Sequence, residues 1–221
     1  MASLVLYNYF RSSASYRTRI ALHHKGLNFE YKPVHLLNNG GEQHSGEYKK
    51  LNPQAEVPTL VHDGKIISQS VAIIEYLDEV FPQHPLYPKD SFKKAKVRQF
   101  CEIINSFIQP LGNLKVIQYL ENVHQYNQAK KEDWVSFWST AGFTSLEKIL
   151  ETENGKYCFG DQITAADCFL IPQVFTAKRY NVKLDAFPHC RRVVDNCNEL
   201  EAFKKAHPLR QIDTPAENRI P

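Results

Sequence analysis

Cysteine is missing from the first 100 residues of this 221-residue chain, and the five that follow are scattered as Cys101, Cys158, Cys168, Cys190 and Cys197. An odd number at irregular spacing excludes a disulfide framework. The lack of any Cys-x-x-Cys pair excludes a zinc knuckle or a dithiol redox site. These cysteines read as small buried apolar side chains. Glycine is sparse as well, nine in all, with neither Gly-x-Gly-x-x-Gly nor Gly-x-x-x-x-Gly-Lys among them, which leaves a nucleotide site without support. The nine histidines show no metal spacing: His23 and His24 are adjacent and no His-Glu-x-x-His occurs, so no metal is expected.

Long apolar runs are absent too. Apolar residues make up 43% of the chain, but charges interrupt them everywhere. No stretch approaches the ~20 residues that cross a bilayer, so no membrane partner is expected. The chain runs from Met1-Ala2-Ser3 straight into Leu4-Val5-Leu6-Tyr7 without the layout of a secretory signal, which makes a cytoplasmic location the expectation. Lysine and arginine total 27 against 24 aspartates and glutamates, a surplus of 3 that is too small to argue for nucleic acid. The two signs balance through residue 90, so the surplus lies beyond it.

What is present changes character near the same point. Leu4 to Tyr9 reads as a buried strand, followed by a helix from about Tyr16 to Lys25 that stops at Gly26. The alternation through Phe29, Tyr31 and Pro33 predicts a second strand, parallel to the first by a right-handed crossover. Residues 37–53 are polar and turn-rich, a loop with at most a short helix. Thr59-Leu60-Val61 and Lys65-Ile66-Ile67 flank His62-Asp63-Gly64 as a hairpin, and a helix then carries Ile73, Ile74, Leu77, Val80 and Phe81 on one face. Pro82, Pro85 and Pro88 mark a stiff linker, after which strand signals vanish. Three helical stripes follow: Val97 to Leu111, with Pro110 kinking or ending it, Trp134 to Ile149, and Ala165 to about Arg179. A small α/β unit therefore precedes an all-α helical bundle, divided as residues 1–83, a linker at 84–90, and 91–221. The tail from Asp213 to Pro221 is expected to lie extended on the surface.

Three short motifs could carry chemistry. Ser12-Ser13-Ala14-Ser15 stands between strand and helix, where a serine either caps the helix or, with the free N–H groups there, holds a thiolate or another anion. With no cysteine at that turn, a reacting thiol must be borrowed. Val57-Pro58 is either an ordinary proline at the start of a strand or a cis bond that leaves the Val57 backbone groups open to an extended peptide. Gln69-Ser70 is a plain helix cap or a place for a small peptide's carboxylate. Thr164-Ala165-Ala166-Asp167, by contrast, is a local capping arrangement with Ile163 as staple.

Arg11-Ser12-Ser13-Ala14-Ser15-Tyr16-Arg17, Asn52-Pro53, Val57-Pro58-Thr59-Leu60 and Gln69-Ser70-Val71-Ala72-Ile73-Ile74-Glu75-Tyr76-Leu77 together resemble the zeta-class glutathione transferases, the maleylacetoacetate isomerase family. The resemblance continues through Ile108-Gln109-Pro110-Leu111, Gly160-Asp161, Pro172-Gln173-Val174, His207-Pro208 and Asp213-Thr214-Pro215, nearly the whole chain. It departs at Ala14, where the family usually has cysteine, so a protein thiol is not expected in the site.

The resemblance implies a thioredoxin-like N-terminal domain ahead of the helical bundle, glutathione as cofactor, and a homodimer. It makes Ser12, Ser13 and Arg17 the catalytic group, with Ser12 bonding the glutathione sulfur. Glutathione would also meet Ala14, Ser15, Tyr16, Gln43, Val57, Gln69, Ser70, Gln109, Asn113, Leu114 and Lys115. A free thiol of pKa ~8.5 is only about 3% thiolate at pH 7, and two units of lowering would make roughly three quarters of it nucleophilic. The implied reaction is the cis–trans isomerisation of maleylacetoacetate in tyrosine and phenylalanine breakdown. Arg11 and Arg179 are the candidates to grip the substrate's carboxylates. Alternatives are conjugation of electrophiles, dehalogenation of α-halo acids, maleylpyruvate isomerisation, and a non-catalytic binding module.

Overall fold

The computed structural model describes residues 3–153 and 155–220. In chain order its elements are β1 (Leu4–Asn8), α1 (Ser13–His24), β2 (Glu30–Pro33), α2 (Gly46–Leu51), β3 (Thr59–His62), β4 (Lys65–Ser68) and α3 (Ser70–Val80). Then come α4 (Ser91–Glu102), a π-helical segment (Ile103–Ile108), α5 (Gln109–Leu111), α6 (Leu114–His124), α7 (Gln128–Glu151), α8 (Ala165–Arg179), α9 (Pro188–Asn198) and α10 (Glu201–Ala206). The chain divides into two compact units, Met1–Pro85 with Glu199–Pro221, and Leu86–Asn198.

In the first unit the sheet order is β2-β1-β3-β4. β1 and β2 run parallel, and the other two pairs are antiparallel. This is the thioredoxin-like arrangement expected from the sequence. Asp63 and Gly64, both at positive φ (47° and 79°), close the β3–β4 hairpin with the twist that two-residue loops require. Leu4, Leu6 and Leu60 from the sheet pack against Leu22 of α1 and Ile73 and Leu77 of α3. Val80, expected on that buried face, is exposed. At the end of α3 the Lys25 ammonium donates to the carbonyls of Phe81 (2.8 Å), Gln83 (3.1 Å) and His84 (3.3 Å) and pairs with Asp78 at 2.7 Å. A cation at the negative end of a helix satisfies carbonyls that have no partner within the helix.

The C-terminal segment differs from the sequence expectation in two ways. Residues 199–221 belong to the first unit, not to the helical one, and α10 packs on α1. The tail is also not extended: it turns through short 3₁₀ segments at Pro208–Arg210 and Ala216–Asn218, and Thr214 is buried. Two prolines and few apolar residues suggested an extended surface tail, but Asp213 bonds the distant Phe10 amide, and Thr214 and Arg219 bond carbonyls near them in sequence. The 84–90 stretch likewise packs, since Leu86 and Tyr87 are buried and the Leu86 carbonyl accepts the Ala165 amide at 2.8 Å.

The second unit is all helical. After α4 the helix widens into π hydrogen bonding, with the Gln109 amide donating to Ile104 five residues back. Pro110, which has no amide to donate, follows within α5. α7 presses on this segment at Gly142, where any Cβ would overlap the Ile108 side chain. The start of α8 is tied by Asp167, fully buried, which accepts from the Thr164 amide (2.8 Å), the Thr164 hydroxyl (3.1 Å) and the Cys158 amide (2.8 Å). All five cysteines are buried thiols outside any disulfide, and burial pushes the thiols of Cys158, Cys190 and Cys197 upward, away from reactivity.

Candidate active site

β1 delivers the chain into a turn at Phe10–Arg11, and α1 begins at Ser13 with Ser12 as its N-cap. The Ser12 oxygen accepts the Ser15 amide at 3.2 Å. Among the described residues nothing accepts the Ser12 hydroxyl proton, and nothing among them accepts the amides of Ser13 and Ala14. Ser12, Ser13 and Ala14 are half-buried, so a ligand can reach them. One O–H and two N–H donors at the positive end of a helix make a place for an anion. The cap and the anion readings of this turn are therefore compatible: the serine oxygen caps while its proton stays available.

Ser15 and Tyr16 face inward and are buried, and the Ser15 oxygen accepts the Tyr9 amide at 3.4 Å. Arg17 is 1% exposed, and its Nη1 donates to the Ser70 hydroxyl at 3.2 Å. That bond joins the start of α1 to the start of α3. Gln69, expected as a cap, makes no cap bond; it stands at φ 72° and its amide donates to Gln54 Oε1 at 2.6 Å. The Val57–Pro58 bond is cis, and among the described residues the Val57 backbone N–H and C=O have no hydrogen-bond partner.

Gln43 lies in a loop braced by its neighbours. His35 Nδ1 accepts the amides of Leu37 (3.2 Å) and Asn38 (2.9 Å), and the His35 amide donates to the Glu42 carboxylate at 2.6 Å. Gly41, at φ 100°, passes so close to Gln43 that a Cβ there would lie 2.5 Å from its amide nitrogen. Gln43 is 7% exposed, and its Nε2 reaches the Leu36 carbonyl at 3.4 Å while its Oε1 is buried with no partner among the described residues. An unsatisfied buried acceptor costs free energy unless a ligand or water supplies a donor. These groups of the first unit fit a peptide-like thiol: open backbone at Val57, an unpartnered amide oxygen at Gln43, and a hydroxyl with two amides at Ser12.

The remaining candidates are spread differently. Arg11 is half-buried in the turn before Ser12. In the second unit Gln109 opens α5, and Asn113 caps α6, accepting the Lys115 amide at 3.1 Å, with Leu114 between them as the first helical residue. Arg179 ends α8 with its guanidinium 5.8 Å from the Tyr180 ring centre.

Residues 2–79 match the family model "Glutathione S-transferase, N-terminal domain" and residues 140–196 match "Glutathione S-transferase, C-terminal domain". The chain belongs to the glutathione S-transferase family. It is 46% identical over 213 residues to the probable maleylacetoacetate isomerase 2 of Drosophila melanogaster, covering 96% of this chain and 91% of that one. The holo structure of a bacterial zeta-class maleyl pyruvate isomerase superposes with a TM-score of 0.93 at 39% identity, over 96% of this chain and 100% of that chain. The maleylacetoacetate isomerase of Anaeromyxobacter dehalogenans, solved with GSH bound in its active site, matches at a TM-score of 0.86 and 37% identity, over 97% and 99%.

In this transferase the motif residues do not stand alone, and sequence patterns missed their supports. Gln54 orients Gln69, and the His35–Glu42 clasp carries Gln43. Tyr48 and Asn52 both donate to the Glu56 carbonyl, at 2.6 and 2.8 Å, just ahead of Val57. Burial pushes the Tyr48 phenol up to about 12, so it remains a donor. The Asn52-Pro53 pair was the only sequence signal for any of these supports.

Proposed function

We propose that this chain is a glutathione-dependent maleylacetoacetate isomerase that makes fumarylacetoacetate in tyrosine and phenylalanine breakdown. The observation that carries the reading is the Ser12 turn, which offers a hydroxyl proton and two helix-terminal amides in a half-buried setting. Glutathione, when bound, supplies a thiolate able to add to the substrate's cis double bond and leave again once the trans arrangement is reached. The chain's part is to hold and ionise that thiol. Ser12 donates to the sulfur, and the Ser13 and Ala14 amides at the positive end of α1 favour the thiolate over the thiol. Val57 offers both backbone groups to the cysteinyl unit as a neighbouring strand would. Gln69 and Ser70 take the γ-glutamyl end, and Gln43 Oε1 accepts a donor from the bound peptide. We assign Gln109 and Asn113 to Lys115 to the same ligand, and Arg11 and Arg179 to the substrate's carboxylates, which arginine grips through two parallel bonds.

We further take the enzyme to act in the cytoplasm as a homodimer. Among the described residues no helix is long and apolar enough to cross a membrane. Size-exclusion chromatography with light scattering tests the dimer, and a stable 25.5 kDa species would refute it. The function is tested by following maleylacetoacetate loss with and without glutathione. Full activity without glutathione overturns the reading. Maleylpyruvate isomerisation is the second reading, favoured by the 0.93 TM-score to the maleyl pyruvate isomerase. A comparison of kcat/KM for the two substrates and for an α-halo acid separates the reactions.

A further inference from the structure

The turn that presents Ser12 is held from outside by side chains far away in sequence. Between β1 and α1, the Phe10 amide donates to Asp213 Oδ2 at 2.9 Å. The Phe10 carbonyl accepts from Arg19 Nη2 at 2.9 Å, and the Tyr9 carbonyl accepts from Arg19 Nη1 at 3.3 Å and from the Ser12 amide at 3.1 Å. The backbone groups two and three residues before Ser12 thus hang on one carboxylate and one guanidinium. Both are tied to the C-terminal segment: Arg19 Nε donates to the Ala206 carbonyl at 3.0 Å, and Asp213 lies within the tail itself.

Asp213 is braced as firmly as it braces. Its second oxygen accepts the Tyr31 phenol of β2 at 2.5 Å. On either side of it, Arg219 donates to the carbonyls of Ile212 (3.0 Å) and Thr214 (2.8 Å), and the Thr214 hydroxyl donates to Pro208 at 2.7 Å. The phenol is held well above its ordinary range, first by burial and further by the anionic carboxylate it meets, so it stays a donor. Arg19 is fully buried and makes four bonds, to Asn8 Oδ1 and to the carbonyls of Tyr9, Phe10 and Ala206. Hydrogen bonds with a charged partner are shorter and stronger than neutral ones, which suits them to fixing a turn.

We propose that Asp213 is a positioning residue for catalysis: through the Phe10 amide it sets where the Ser12 hydroxyl and the first amides of α1 point. This rests on the reading of Ser12 as the group that bonds the glutathione sulfur. Asp213 touches no reacting atom. Its effect is geometric, because a hydroxyl displaced by a few tenths of an ångström no longer meets the sulfur at hydrogen-bond distance. Geometry and charge make opposite predictions. Removing an anion from the neighbourhood of a thiolate lowers the thiol pKa, whereas loosening the donors that stabilise the thiolate raises it.

The test measures the pKa of the bound glutathione thiol by ultraviolet thiolate absorbance, alongside kcat, KM and thermal stability, in full-length Asp213→Ala, Asp213→Asn, Tyr31→Phe and Ser12→Ala. Asp213→Ala is expected to raise the bound thiol's pKa and lower kcat by roughly tenfold to a hundredfold, with the KM for glutathione changed far less because Gln43, Val57 and Ser70 are untouched. Asp213→Asn keeps an oxygen for the Phe10 amide and should recover most of kcat. Tyr31→Phe, which frees one carboxylate oxygen, should shift the thiol the same way by less, and it carries the test should Asp213→Ala not fold. An unshifted thiol with unchanged kcat in a merely less stable protein overturns the proposal, as does a lowered thiol pKa. If Ser12→Ala raises the thiol pKa while the Asp213 and Tyr31 variants do not, the Ser12 reading stands and this one falls. A thiol unmoved by Ser12→Ala overturns both.

Discussion

Arg17 and Ser70 meet at 3.2 Å, and through that bond the N-terminal parts of α1 and α3, two helices separated in sequence by most of the sheet, are locked to each other. The start of α1 is proposed to receive the cysteinyl sulfur of glutathione and the start of α3 its γ-glutamyl end, so their separation sets whether one ligand can meet both. Ser70→Ala removes the hydroxyl offered to the γ-glutamyl end and the acceptor of Arg17 Nη1. A lost hydrogen bond to a charged group corresponds to roughly a ten- to hundredfold weaker interaction. Calorimetric titration should show that loss in glutathione affinity, while kcat at saturating glutathione changes little.

Ser12→Ala removes two things at once, and they separate experimentally. Loss of the cap to the Ser15 amide should lower stability by about 1 kcal/mol, readable in urea unfolding. Loss of the sulfur's donor should lower kcat/KM by roughly a hundredfold or more, the usual result of removing one preorganised donor to a developing anion. Ser12→Thr retains the hydroxyl and should recover stability first and activity in part. A Ser12→Ala enzyme that is destabilised yet fully active would restrict the serine to capping.

Much of the first unit was legible because its signals are local. The His62-Asp63-Gly64 turn and the Gly26 stop depend on left-handed conformations that few residue types adopt, the alternation before Pro33 reads directly as a strand, and all three became the elements expected. The Ser12, Val57 and Gln69–Ser70 stretches stood out for the same reason. The tail was not legible, because its place depends on one carboxylate that bonds an amide 203 residues earlier and a phenol 182 residues earlier. The burial of Arg17 and Arg19 was equally hidden, since an arginine on a helix reads as a solvated charge until its acceptors are known. Nor could apolar spacing distinguish the π segment at Ile103–Ile108 from a continuing α-helix.

Gly41→Ala tests the loop that carries Gln43. Its φ of 100° disfavours any side chain, and the new methyl would collide with the Gln43 amide. The expected outcome is a raised KM for glutathione with kcat retained, and Gln43→Ala should show the same pattern. An unchanged KM in both variants would remove Gln43 from the binding set.

Acid should weaken the first unit through His23 and His24. Burial depresses both to about 4 from 6.5, helped at His23 by Lys205 and Arg19 and at His24 by His84 and Lys25. Between those values the unfolded chain binds protons that the folded chain refuses, so stability rises with pH through the window and falls as pH drops from 6.5 towards 4. Partial exposure of both rings limits the effect to roughly 1–2 kcal/mol per histidine. Urea midpoints measured at pH 7 and pH 5 should show the loss, and replacing both histidines by glutamine should flatten it.

Asp167 is the strongest test of a purely structural assignment in the second unit. Its carboxylate is fully buried and receives the Cys158 amide, the Thr164 amide and the Thr164 hydroxyl. Burial raises its pKa, while those donors pull it back down and so favour the charged form. Asp167→Ala leaves the donors buried without an acceptor and should destabilise the protein by about 3–5 kcal/mol, a large share of a typical domain's total. Asp167→Asn keeps one acceptor oxygen but turns its amide towards other N–H groups, so it should fall between the two. Protein that remains folded in either variant should keep the wild-type KM for glutathione, because Asp167 bonds Cys158 and Thr164 and none of the residues assigned to that ligand. Denaturation midpoints paired with KM decide the matter: a variant of normal stability that has lost catalysis would move Asp167 from the scaffold into the chemistry.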